Sequence, residues 1–189
     1  MTSPGSGPTR IALVPGVLAL LPEYAGLEDP VADLRSAVRE VAAWLAEIVG
    51  PVAVVADEQG DRVGRHLLAE AGATVADGGS TGAAAYLVVA NGSARRNEHA
   101  PGYTDERALP FDAAVEAALR GPDPDVLTNL DVDTAAELLC GGVAGLVLLG
   151  TLLRGAGPAM VDYADDPYGV QYWAMRWRLG DLGGEVDDG

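Results

Sequence analysis

A chain of 189 residues with 49% hydrophobic content and a mean hydropathy of +0.15 has the length and apolar content of an ordered domain, which excludes a disordered protein. Its formal net charge is −16 and all 12 basic residues are arginine, so the surface repels phosphates and excludes nucleic acid and anionic bilayers as natural partners. A single cysteine, Cys140, excludes an internal disulfide and a cysteine-built metal cluster.

The first nine residues, MTSPGSGPT, read as a flexible tail. Arg10 to Val14 reads as a strand stopped by Pro15-Gly16, and the apolar loop through Pro22, Glu23 and Tyr24 is expected to fold over the interior or a pocket. Pro15 interrupts the run from Ile11 to Leu21, so a strand and loop explain it better than a secretion signal. No stretch approaches the ~20 apolar residues that span a bilayer, and a cytoplasmic protein is expected. Asp29-Pro30 starts a helix whose buried stripe is Leu34, Val38, Val41, Leu45 and Ile48, ended by Gly50-Pro51. Val52 to Ala56 lacks alternation, as a strand covered on both faces does. A helix from Asp61 to Ala71 and a weak strand from Ala73 to Ala76 follow. Asp77 to Gly82 is glycine-rich, yet it has neither a P-loop lysine nor dinucleotide-fingerprint spacing, and reads as a connector.

Tyr86 to Ala90 is a short apolar strand, after which Asn91 to Tyr103 gathers polar side chains before a helix from Phe111 to Arg120. Strand, polar loop and helix in that order is how α/β proteins place ligand sites. Helices are expected at Pro124 to Leu130, Asp133 to Cys140 and Gly142 to Leu153, the last apolar all round and therefore buried. Cys140 reads as a buried, inert thiol. Ala159 to Tyr163 and Tyr172 to Leu179 read as closing strands. The latter alternates Tyr172, Ala174, Arg176 and Arg178 with Trp173, Met175, Trp177 and Leu179, the pattern of a half-covered or edge strand. Gly180 to Gly189 reads as an acidic, disordered tail. The expectation is one α/β domain over 10–179, a layered central sheet with helices on both faces.

Three blocks carry a resemblance: NGSARRNEHAPGYTDERALPFDAAVEAAL, LDVDTAAELL and VDYADDPYGVQYW. They resemble actinobacterial LigB-like proteins, of the class III extradiol ring-cleavage dioxygenase type. Residues Pro15 to Glu23 are similar to the early PHPPLLVPE segment of that family. The resemblance implies an α/β fold and, in active members, a non-haem Fe(II) held by two imidazoles and a carboxylate, with a further histidine as acid/base. Against that pattern, Gly16 stands where the first histidine ligand is expected, Asn91 where aspartate is expected, and Ala94-Arg95 where a histidine follows the serine. The chain has two histidines, His66 and His99.

The resemblance therefore implies a catalytically degenerate ligand-binding or accessory protein, with no cofactor expected. Its ligand, an unidentified small molecule, would meet Asn91, Ser93, Arg95, Glu98, Tyr103, Asp166 and Tyr168. The loop from Asn91 to Tyr103, the turn from Asp165 to Tyr168 and the loop after Pro15 are expected to line one cleft. Two alternatives remain open: an active metal-dependent oxygenase or hydrolase built on His99, Glu98 and Asp166, and a structural homo-oligomer joined through the last strand. His66 reads as a helix-surface residue paired with Glu70 at i,i+4. Arg95 and Arg96 are expected to pair with Asp105, Glu106 or Asp165, Ser93 to serve as a turn hydroxyl, and Asp165-Asp166-Pro167 to form a β-turn.

Overall fold

The computed structural model describes residues 10–24, 29–77 and 83–180. The expectations for residues 1–9, for most of the 77–82 connector and for 181–189 lie outside these residues. Five strands form one sheet: β1 (Arg10–Val14), β2 (Val52–Val55), β3 (Ala85–Val89), β4 (Met160–Asp165) and β5 (Tyr172–Arg178), in the order β2-β3-β1-β5-β4. β1 is parallel to β3 and β3 to β2, whereas β5 runs antiparallel to both β1 and β4. The weak strand expected at residues 73–76 reduces to a single bridge from Val75 to Val52.

Helices cover both faces. On one face lie α1 (Ala32–Ala46) and α2 (Glu58–Glu70), whose Leu34, Val38, Val41, Leu45, Val63 and Leu67 meet Ala12, Val14, Leu87 and Val89. On the other lie α3 (Ala108–Arg120), the short α4 (Pro124–Thr128) and α6 (Val143–Leu152), which bury Val115, Leu119, Leu127, Leu146 and Leu149 against Ile11, Leu13, Val88, Trp173, Met175 and Trp177. A further short helix, α5 (Val132–Glu137), precedes α6. Sheet residues face alternately up and down, and β1 and β3 are covered on both sides, which explains why they show no polar alternation.

Several boundaries shift for local reasons. α2 starts at Glu58 rather than Asp61 because the Asp57 carboxylate caps it, accepting from the Gly60 N–H at 2.7 Å. α3 begins at Ala108, so Pro110 sits in its first turn, where a missing N–H costs nothing. The apolar loop after Pro15 forms two short 3-10 turns and buries Leu20 and Leu21, as its composition demands.

One expectation is corrected. β5 is neither an edge nor half-covered: β1 and β4 occupy its two sides, and Tyr172, Trp173, Ala174, Met175 and Trp177 are all buried. Its polar alternation has another origin, since Arg176 forms a bidentate pair with Asp162 of β4 and lies over the Trp44 ring of α1. A second copy therefore has no free side of β5 to pair with. β4 is an outer strand, and it carries a bulge between Val161 and Tyr163 together with Asp162 and Asp165, features that discourage edge pairing.

Candidate functional site

The chain leaves β1 toward α1 on one face and leaves β3 toward α3 on the opposite face. Neighbouring parallel strands whose connections diverge in this way open a crevice beyond their carboxyl ends. A cleft of about 470 Å³ lies there. Its walls come from the loop after β1 (Gly16 to Ala19), the cap and first turn of α2 (Asp57, Gln59, Gly60), the end of β3 and its loop (Val89, Ala90, Asn91, Ala94), the α5–α6 junction (Leu139, Gly141, Gly142), and Val170 and Tyr172.

Hydrogen bonds fix these walls to one another. The Gly16 N–H donates to Asn91 Oδ1 at 2.8 Å, and the Gln59 amide donates to the Gly16 carbonyl at 2.7 Å. The Asn91 N–H donates to the Gly141 carbonyl and the Ala94 N–H to that of Leu138. Gly142 adopts φ of +67°, and a Cβ there would stand 2.3 Å from the Val89 carbonyl oxygen, so only glycine lets α6 start against β3. Leu139 also has a positive φ, 60°: it terminates α5 in a Schellman turn, with its N–H bonded to Ala136 and that of Cys140 to Ala135. Its side chain stands at the cleft rim, 47% exposed.

Behind the cleft is a buried polar brace. Asp112 of α3, 1% exposed, accepts the Ser93 N–H at 2.8 Å, the Ser93 hydroxyl at 2.5 Å and Arg96 Nη1 at 2.7 Å. Arg96 Nε donates to Asp166 Oδ2 at 2.7 Å, which joins the loop to the β4–β5 turn. That turn closes through the Gly169 N–H to the Asp166 carbonyl, the expected β-turn. None of the buried side-chain polar atoms of Ser93, Asp112, Arg96 and Asp166 lacks a hydrogen-bond partner, and such a brace holds structure.

The expected site residues thus divide. Asn91 lines the cleft. Ser93 is wholly buried against Asp112, and Asp166 is engaged by Arg96, which takes Asp112 and Asp166 as partners in place of Asp105, Glu106 or Asp165. Arg95 runs beside Gly102 with its Nε buried and without a hydrogen-bond partner among the described residues. The side chains of Glu98 and His99 are 86% and 79% exposed, and Tyr103 is 91% exposed. Tyr168 is exposed and reaches the Pro30 carbonyl. The expectation that the whole Asn91–Tyr103 loop and the Asp165–Tyr168 turn line the cleft is corrected: Asn91 and Ala94 do, while the remainder is spent on the brace or on solvent.

The iron centre implied by the resemblance needs two imidazoles and a carboxylate on one face. The residues present do not fit it. His66 pairs with Glu70 at 3.6 Å, as its spacing predicts, and lies six residues beyond Gly60, the last α2 residue of the cleft wall, about 9 Å along the helix. His99 points to solvent, and among the described residues no group of three His, Cys, Asp or Glu side chains could hold a metal ion, so His99, Glu98 and Asp166 do not form one. Asp57, Gln59, Leu139, Gly141 and Gly142 were not apparent as site residues. Asp57-Glu58-Gln59 did carry a helix-start signal that could have brought the α2 terminus to the crevice. No protein-family model matches the chain, and no curated protein matches it.

Proposed function

We propose that the chain is a LigB-like small-molecule-binding protein, degenerate in iron chemistry, whose ligand lies in the crevice between the ends of β1 and β3. The observation that supports this reading is Gly16. It occupies the position where the resemblance calls for a histidine, it lines the crevice, and its backbone N–H and C=O are taken by Asn91 and Gln59. Position 16 thus ties two walls together through its backbone and supplies no side-chain donor. The lining is mostly aliphatic and glycine, with Asp57, Gln59, Asn91 and Tyr172 as the polar points, a composition that suits a small apolar body bearing one or two hydrogen-bonding groups.

Two measurements test the reading. Purified protein incubated anaerobically with Fe(II) and then desalted should retain far less than one iron per chain; stoichiometric, tightly held iron would overturn the degenerate assignment. In a thermal-shift screen of small polar-apolar compounds, stabilising ligands should lose their effect in Leu139→Trp, which fills the rim. Hits that stabilise both proteins equally would place the site elsewhere.

A further inference from the structure

A second concavity of about 210 Å³ lies on the α1 face, remote from the crevice at the other end of the sheet, lined by Trp44, Gly157, Pro158, Met160, Arg176, Trp177 and Arg178. Three arginines converge on Trp44: the guanidinium carbons of Arg10, Arg176 and Arg178 lie 4.9, 5.5 and 5.4 Å from the ring centroid. In a chain of net charge −16, a quarter of the basic residues has gathered on one indole. Arg10 and Arg178 are moreover direct partners across the β1–β5 ladder, a like-charge pair that is destabilising unless something offsets it.

The three cations are not equally satisfied. Arg10 donates to the Trp44 carbonyl and to Glu47, and Arg176 to both oxygens of Asp162. Arg178 has its ring contact and, among the described residues, no carboxylate. Stacking on a π face uses the flat side of a guanidinium and leaves its N–H donors free in the plane, in the fork that matches a carboxylate. Beside that fork, Met160 (59% exposed), Pro158 and the indole edge form an apolar shelf.

We propose that this concavity is an anion site for a carboxylate carried on an apolar chain, with Arg178 binding the carboxylate and Trp44 and Met160 covering the chain. The assignment is independent of the crevice and of the reading given above. Hexanoate and hexanamide, equal in size and unequal in charge, are the probes. The indole N–H resonances of isotope-labelled full-length protein report on it: Trp44 lines the concavity, Trp177 lines it too but has its N–H tied to the Leu119 carbonyl, and Trp173, which donates to Glu116 and is not part of the lining, is the internal reference. Hexanoate should shift the Trp44 resonance saturably, hexanamide should not, and raising the salt should weaken the effect. Arg178→Met should reduce hexanoate affinity at least tenfold, and Arg178→Lys, which keeps the charge without the fork, by less. Arg178 is exposed, so neither variant threatens folding. Equal responses to the acid and the amide, or an unchanged affinity in Arg178→Met, would overturn the proposal.

Discussion

Among single residues, Asp112 has the largest structural consequence. Truncation to alanine strands the Ser93 N–H and hydroxyl and leaves the mostly buried Arg96 with one partner. Removing one member of a buried charged network costs about 3–5 kcal/mol, so Asp112→Ala should lower the urea midpoint sharply, and Asp112→Asn less. Leu139 gives the opposite sign. A leucine at a left-handed C-terminal position carries roughly 1 kcal/mol of strain, so Leu139→Gly should raise stability by a similar amount in the same urea titration while stripping the rim of its apolar side chain. Cys140 gives a kinetic readout. Burial first, and then the nearby Asp112 charge, push its thiol up to about 12. At pH 8 its reaction with a disulfide reagent should be slower than that of a free thiol by ~100-fold or more, and denaturant should abolish the difference.

Among the elements, α6 shows most clearly how position is set by the absence of a side chain. Gly142 begins it in a left-handed conformation within contact of β3, and Gly145 faces Val88 at 3.1 Å from its would-be Cβ. Gly142→Ala combines overpacking with backbone strain and should destabilise by about 2 kcal/mol or more, measured by thermal unfolding. The elements themselves were legible in the sequence wherever periodicity or punctuation was strong. Arg10–Val14 matched as a strand to the residue, the stripe of α1 from Leu34 to Leu45 is fully buried, and Pro124 and Val143 open helices close to where composition placed them. β5 misled because an arginine stacked on a tryptophan and paired with an aspartate has the same alternation as an arginine in water. The site was half legible for a related reason. A polar residue in a loop announces chemistry whether it lines a cleft, like Asn91, or faces a buried carboxylate, like Ser93 and Arg96, and only the fold separates the two. The glycines and the α2 cap, which complete the crevice, carry no chemical signal by themselves.

The whole molecule should show a stability plateau bounded on both sides. Asp105 is held at about 2, chiefly by the Arg107 side chain and also by its N–H; Asp29 is lowered, most strongly by Arg35, and Asp131 by the Thr134 N–H. Carboxylates depressed in the folded state favour folding above their ordinary value of 3.8, and that contribution disappears as the pH falls toward about 2. Cys140, Tyr163 and Tyr172 are raised, mainly by burial, so they favour the folded state while protonated, and that contribution is lost as the pH climbs from about 9 toward about 12. Urea midpoints should therefore be flat between about pH 5 and 8 and fall beyond each limit. A midpoint that kept rising through pH 10 would contradict the burial of these groups.

The crevice at the divergence of β1 and β3 has a mechanical implication. Its walls include the first turn of α2, which packs on one face of the sheet, and the start of α6, which packs on the other. Without an occupant, these two layers communicate through the strands between them and through the Gly16, Asn91 and Gly141 bonds. A molecule seated there would act as a rivet through the sandwich. Amide exchange at the leading turns of both helices should then slow together on occupancy, although the two turns share no core.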